Sequence, residues 1–265
     1  MEQNNRKAAC LRLLSGGLLL AAGIAASLLT RAAALAENAA DSQKFPFALG
    51  LIAILLGATL LIAGLVNLTG SVQKKKLDSH QMVLAAMFAA LCYIGFSFFK
   101  IDIPVGTEKT AFHLGNVFCV LAALLIGGLW GGMAGAVGMT VADLTTGYVT
   151  SAPKTFLLKL CIGLIVGLVA HKGFHVSREK PASKIALEAG ISAAAGMAFN
   201  VVADPVVGYF YKTYVLGIPQ KAAGLLAKMS AVTTLVNAII AVLVATVFYL
   251  ALRPALKGAK LYKPL

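Results

Sequence analysis

Apolar residues fall in long, unalternating stretches, unlike the every-second-residue pattern of a half-buried strand. Eight such stretches, at 11–30, 47–68, 81–99, 112–129, 131–148, 153–170, 185–202 and 224–252, are rich in Leu, Ala and Gly. About 20 apolar residues in a helix cover a hydrocarbon core of about 30 Å. Inside hydrocarbon only helices and closed barrels satisfy their own backbone, and unalternating runs exclude the barrel. The pattern therefore predicts an all-α integral membrane protein. Short polar breaks separate the runs: 38–44, the triplet Lys74-Lys75-Lys76, a basic loop at 171–184, and a basic tail from Arg253. The lysine triplet divides the chain into a two-helix block, 1–77, and a six-helix core, 78–265.

Composition agrees. Of 265 residues, 59% are hydrophobic and 12% charged, about half the charge of an ordinary soluble domain. The net charge of +13 has a membrane explanation, because Lys and Arg collect in cytoplasmic loops. With both termini inside, the inner segments hold Arg6, Lys7 and Arg12, Lys74 to Lys76, four basic residues of 171–184, and Arg253, Lys257, Lys260 and Lys263. That distribution supports eight spans in a cell membrane, read as a bacterial plasma membrane, with both ends cytoplasmic. The first run also has signal-peptide character, with Ala34-Leu35-Ala36 placed like a cleavage site. Arg31 interrupts that approach and the run is long enough to span, so an uncleaved helix is expected. No basic arm or aromatic platform suggests nucleic acid. Cys10, Cys92, Cys119 and Cys161 form no CxxC pair and read as small core residues.

Small residues mark close packing. Ala85, Ala86, Ala89 and Ala90 recur at helical spacing on the first core helix, where either internal packing or a partner helix would use them. Gly127, Gly131 and Gly135 form a row that permits a tight hairpin, and Gly163 with Gly167 offers a complementary face. Gly50, Ala53, Gly57 and Gly64 give the N-terminal block a face of its own, for a surface such as the core bundle.

Polar residues inside apolar runs are costly and are candidates for function. Asp143 and Lys159 lie at similar depth on sequential helices, either as an ion pair or as walls of a pocket. His113 and Asn116, spaced i and i+3, are expected on one helix face, as a cap or as mixed donors and acceptors for a heterocycle. Asn200 and Asp204 close the fifth core helix, followed by Tyr209, Phe210, Tyr211 and Tyr214, an aromatic belt or a lid. Thr234 and Asn237 sit in the outer half of the last helix. His171 and His175 read as solvated loop residues. A pocket in the outer half of the bundle, walled by His113, Asn116, Asp143, Lys159, Asn200 and Asn237 with Tyr209 above, is the expected binding site. Nothing in the chain requires a metal or cofactor.

Three stretches carry a family resemblance. They are Phe112-His113-Leu114-Gly115-Asn116, the glycine-rich run from Leu125 to Gly135 continuing to Ala142-Asp143-Leu144, and Ala152-Pro153-Lys154-Thr155-Phe156 with Lys159 and Gly163. Together they resemble the substrate-binding S components of energy-coupling factor (ECF) vitamin transporters, most closely the riboflavin-type branch. The resemblance covers 81–252, and the first 75 residues are an addition to the six-helix pattern. It implies a subunit that captures a small vitamin, riboflavin first and pyridoxine, thiamine or its pyrimidine precursor behind it. It also implies a transmembrane scaffold partner docked on the alanine face and two ATPase subunits, with delivery by toppling in the membrane. The segment 230–237 departs from the riboflavin-type pattern.

Other classes fit less well. No GxxxxGK[ST] is present, so ATP hydrolysis would belong to partners. A self-sufficient H⁺- or Na⁺-coupled secondary transporter would use Asp143 or Asp204, yet no repeat relates the two halves. With no HExxH and no GxSxG, an enzyme is not expected.

Overall fold

The computed structural model describes residues 2–34, 50, 53–54, 57, 79–106, 108–259 and 262. The chain divides into two compact units, Met1–Lys76 with Phe210–Pro219, and Leu77–Tyr209 with Gln220–Leu265.

In the first unit, α1 (Glu2–Ala34) is a continuous helix. Its segment Cys10–Thr30 is long and apolar enough to cross a bilayer. Leu11, Leu14, Leu18 and Leu29 are exposed along it. The glycine face of the second run meets α1. A Cβ on Gly57 would collide with the backbone of Gly16 and Leu20, and one on Gly50 with Ser27. The small residues thus serve packing inside the block; Gly64 and most of 47–68, with the loop 38–44 and Lys74 to Lys76, lie outside the described residues. Ile54 and Leu216 are buried in the same unit, with Leu20, Tyr211, Val215 and Ile218 packed around them.

The second unit holds the described helices α2 (Ser79–Ser97), α3 (Gly115–Ile126), α4 (Gly128–Thr145), α5 (Ala152–Gly167, widening into a π-helical end at Leu168–Gly173), α6 (Ala182–Phe210) and α7 (Gln220–Gly258). The segments Val149–Gly173, Ala182–Val215 and Gln220–Gly258 are long and apolar enough to span. Apart from one hairpin among the described residues, the chain is an all-α integral membrane protein. The hydrophobic centre of the unit is α3, whose residues from Val117 to Leu124 are almost all fully buried.

Helices α4 and α5 are held together by glycine. A Cβ on Gly163 would run into the backbone of Gly132, and one on Gly167 into that of Gly128. The face of Gly163 and Gly167 thus has its complement in Gly128 and Gly132, one residue along from the expected row, while Gly131 and Gly135 of that row face Ala123 and Cys119 of α3; both are the small-residue contacts that bring helix backbones together in lipid. Gly127, at φ +92°, makes the break between α3 and α4.

Two expectations need correction. The run 112–129 does not form one span. Its helix is the twelve-residue α3, about 18 Å at 1.5 Å per residue, and the residues before it are strand. The pair β1 (Lys100–Val105) and β2 (Glu108–His113) forms an antiparallel hairpin, with Lys100 opposite His113 and Val105 opposite Glu108. Gly106, at φ +65°, supplies the left-handed turn conformation that a side chain resists. The second correction is His171, which is not solvated. It is half-buried, one ring nitrogen 3.1 Å from the Ser177 hydroxyl and the other 3.1 Å from the Ala123 carbonyl. It joins the ends of α3 and α5, while His175 is exposed.

Candidate functional site

Buried or half-buried polar groups of the core unit lie at both ends of the bundle, Lys180, Glu188 and Arg253 with the 171–184 loop at one end, and those at the hairpin end fall into two sets. In one set every group has a partner. Lys154, in the first turn of α5, pairs with Asp204 of α6 at 2.9 Å. The other Asp204 oxygen accepts hydrogen bonds from the Ser230 and Thr234 hydroxyls of α7, the latter at 3.1 Å. Gly208, one turn after Asp204, leaves space for the Lys154 ammonium, which a Cβ there would approach to 3.2 Å. Three helices are tied by one carboxylate.

Asn237 belongs to this set. Its amide NH₂ donates to the Ala111 carbonyl at 3.0 Å, and its carbonyl oxygen accepts from the His113 N–H at 3.0 Å. The side chain thus bonds β2 as a neighbouring strand would, and the Thr110 and Thr233 hydroxyls meet beside it at 2.8 Å. Thr233 and Thr234 lie in the segment 230–237 that departs from the riboflavin-type pattern, and here that segment holds the hairpin.

The first strand is latched to the loop after α4. Asp102 accepts from the Tyr148 hydroxyl at 2.7 Å and from the Lys100 and Lys109 ammonium groups at 3.2 Å each. Lys109 also donates to the Thr146 carbonyl at 3.0 Å. Both ammonium groups lie over the Tyr148 ring, at 5.0 and 4.4 Å from its centre. Partial burial opposes ionisation of Asp102, but the hydrogen bonds from Tyr148, Lys100 and Lys109 outweigh it and hold the carboxyl below its ordinary value.

In the second set, buried atoms have no protein partner. Among them are His113 Nδ1, Asn116 Oδ1, Thr140 Oγ1, Asp143 Oδ2 and Asn200 Oδ1. They come from β2, α3, α4 and α6, and Asn116, Asp143 and Asn200 are each at most 2% exposed. Thr140 and Asp143 share one face of α4, a helical turn apart. Lys159 of α5 is also buried. Among the described residues it makes no ion pair, so of the two readings of Asp143 and Lys159 the ion pair is not formed, and it is Lys154 that pairs with Asp204. Lys159 and Asp143 still feel each other's charge and that of Asp204. His113 stacks on Phe96 with ring centres 4.6 Å apart. Burial pushes its pKa down to about 3, with the Lys159 charge adding to the effect and Asp204 opposing it, so the ring is uncharged at neutral pH.

The expected i, i+3 helical relation of His113 and Asn116 is corrected: His113 ends a strand and Asn116 lies in the first turn of α3. Thr140 was not singled out from the sequence, and neither was the pairing of Lys154 with Asp204, although Lys154 stood in a motif and Asp204 was noted at the end of the fifth core helix. Tyr209 is half-buried near the end of α6. Among the described residues no group of His, Cys, Asp and Glu has the arrangement of a metal site.

The alanine row of α2 splits. Ala85 and Ala89 pack against the core, and the Ala89 carbonyl lies where a Cβ on Gly138 of α4 would be. Ala86 and Ala90 are exposed, beside Val83, Met87 and Leu91.

The model of the family described as "ECF-type riboflavin transporter, S component" matches residues 76–254, about two thirds of the chain. A protein of Pyrococcus woesei, "Uncharacterized protein in gap 3'region", is 37% identical over 67 residues, 25% of this chain and 45% of that protein. The chain thus spans less than half the length of this curated relative. No solved structure matches. The family is one of substrate-binding transporter subunits rather than enzymes, and residues 76–254 place this chain in it: the protein belongs to the ECF-type riboflavin transporter S component family.

Proposed function

We propose that the protein captures riboflavin, or a closely similar small heterocyclic vitamin, from outside the cell. It holds the ligand at the hairpin end of the core bundle and delivers it with a transmembrane scaffold and two ATPase subunits. The observation that carries this is the set of buried polar atoms without partners, which a ligand bearing complementary donors and acceptors completes. An unpaired polar atom in a low-dielectric interior is expensive, and the five of this set, on β2, α3, α4 and α6, each call for a partner. Apolar walls with a few convergent polar groups are the general form of a small-molecule site.

His113, Asn116, Asp143, Lys159 and Asn200 contact the ligand in this reading. Asn237 acts through the hairpin, holding β2 and with it His113, and Tyr209 stands at the edge. The scaffold docks on the exposed Ala86 and Ala90 side of α2, where small side chains let a second helix approach. The hairpin end faces outward and both termini face the cytoplasm, in keeping with the basic residues of the 171–184 loop and the chain ends. The N-terminal block, 1–77, is an addition outside the binding core.

Native mass spectrometry of the protein purified in mild detergent tests the reading. A co-purifying flavin, displaced by excess riboflavin, is the expected result. A co-purifying ligand of another class, such as a peptide or a lipid, would overturn it.

A further inference from the structure

At the end of the core unit away from the hairpin, the loop between α5 and α6 is built into the bundle. The buried Arg253 guanidinium of α7 donates to the Ser177 and Arg178 carbonyls at 3.2 and 2.8 Å. Lys180 donates to the Phe174 carbonyl at 2.5 Å and to both oxygens of the buried Glu188 at 2.8 and 2.6 Å. Lys257 pairs with Glu179, and the Arg253 and Lys257 cations lie over the Tyr262 ring, 5.8 and 5.6 Å from its centre. The segment 171–188 contains two acidic residues, Glu179 and Glu188, and both are neutralised by cations of this knot. What the segment presents at its surface is positive: Lys172, Arg178 and Lys184 are exposed.

These cations stand where the lipid-facing apolar surface stops. Lys184, Leu187 and Ile191 follow one face of α6 at i, i+3 and i+7, and the leucine and isoleucine are exposed. Lys172 comes four residues after the exposed Leu168, in the π-helical end of α5. An exposed leucine on a spanning helix faces acyl chains. A lysine one turn beyond it extends its ammonium into the headgroup layer. The turn that follows α5, with His175 at φ +52°, keeps Arg178 at the same end. We infer that this end of the core is a binding surface for anionic phospholipid headgroups, held by Lys172, Arg178 and Lys184. The phosphodiester is common to zwitterionic lipids, but a choline group would be set against the same three cations, so net charge selects the anionic lipid. Depth argues for lipid over an acidic soluble protein, because Lys172 and Lys184 stand a single turn from hydrocarbon. The knot beneath them fixes the loop, so binding has little backbone left to order. Each Lys or Arg at an anionic surface contributes about a five-fold factor in affinity.

The test is native mass spectrometry of the purified full chain in mild detergent, with equimolar phosphatidylglycerol and phosphatidylcholine of identical acyl chains. Wild type should retain phosphatidylglycerol in preference by at least ~10-fold, and a higher ammonium acetate concentration should weaken that preference by screening. Lys172→Gln, Arg178→Gln and Lys184→Gln together should abolish it, since three factors of about five exceed the whole ratio. The charge-preserving set Lys172→Arg, Arg178→Lys and Lys184→Arg should keep it. Lys221→Gln with Lys228→Gln removes two exposed cations at the start of α7 and should change the ratio by less than ~2-fold. All these side chains are exposed, so melting temperatures should match wild type, and a ratio of two lipids is not moved by a partly unfolded sample. Equal retention of the two lipids by wild type would overturn the inference and leave the cations to an acidic protein partner. Loss of preference in the Lys221 and Lys228 variant as large as in the triple variant would overturn it too. So would displacement of phosphatidylglycerol by excess glycerol 1-phosphate, which carries the anion without the acyl chains. None of these outcomes depends on which vitamin the other end of the bundle binds.

Discussion

Replacing Asn237 by Ala removes one side chain and strands two backbone groups. The amide supplies a donor to the Ala111 carbonyl and an acceptor to the His113 N–H, each at 3.0 Å, and the residue is only 4% exposed. A buried polar group left unsatisfied costs about 1–3 kcal/mol, so the pair is worth about 2–6 kcal/mol to the attachment of β2 on α7. Taking the lower limit, the hairpin should detach at least ~30-fold more often, since 1.4 kcal/mol is about a factor of ten. The assay is hydrogen exchange resolved to the His113 amide, whose N–H is protected by this side chain. Amides inside α4 and α5, joined by their own glycine contacts, should keep their wild-type rates. Ligand affinity should fall as well, because β2 carries His113. Thr110→Val is the internal comparison. It breaks only a hydroxyl contact, and Thr233 can still donate to the Met229 or Ser230 carbonyl, so its effect should stay under ~10-fold. A His113 amide that exchanges within a few-fold of wild type in Asn237→Ala would refute the argument that this side chain holds the hairpin.

Three further expectations follow from the geometry. Ala86→Leu or Ala90→Leu should abolish co-purification with a scaffold subunit while leaving ligand affinity unchanged, whereas Ala89→Leu should lower thermal stability in detergent because it presses on α4; full scaffold binding by both outer variants would remove this face from the docking surface. Gly163→Ala should destabilise by about 1–3 kcal/mol through overpacking, measured as a lower melting temperature, while Gly224→Ala, with nothing within 4 Å of its Cβ, should not. The depressed Asp102 carboxyl contributes stability that is present above its unfolded pKa of about 3.9 and lost as pH falls through the lower folded value, so hairpin protection should be flat from about pH 5 to 8, fall below about pH 4, and lose that acid limb in Asp102→Asn.

Helix positions were legible because apolar runs of spanning length leave the backbone few alternatives in lipid. A small-residue face at Gly163 and Gly167 was legible for a similar reason, since only small side chains allow such an approach, but its partner proved to be Gly128 and Gly132 and not Gly131 and Gly135, which face α3. The hairpin was not. Its two strands have only six residues each, and Pro104 in one of them reads as loop. The signal was present, however, in the alternation of Ile101, Ile103 and Val105 before a glycine. The choice of ion pair was not legible either. Lys154 and Lys159 both lie within reach of carboxylates by spacing, and only the crossing of α5 with α6 gives Asp204 to Lys154. The alanine row shows a finer failure. Residues 85 and 89 stand one turn apart, but 86 and 90 are rotated by about 100°, so four alanines on one helix never formed one face.

The separation of satisfied from unsatisfied polar groups has an energetic reason. Lys154, Asp204, Ser230, Thr234 and Asn237 join α5, α6, α7 and β2 through bonds that need no ligand. The open groups sit mainly on α3, α4 and α5, whose backbones are held by glycine contacts and a fully buried α3. A receptor whose open groups were also its structural bonds would have to break one kind of contact to make the other. In the proposed receptor the frame is complete beforehand, so little of the binding energy would go into ordering the site. Each open group that gains a partner returns about 1–3 kcal/mol at most, less where water already occupies it. Four or five such groups therefore reach the scale of about −8 kcal/mol that corresponds to micromolar affinity, before any apolar contact is added. Mutations in the two sets should accordingly separate: those in the frame lower stability and affinity together, and those among the open groups lower affinity while leaving the bundle as stable or more so, since they remove a buried polar atom that had no partner.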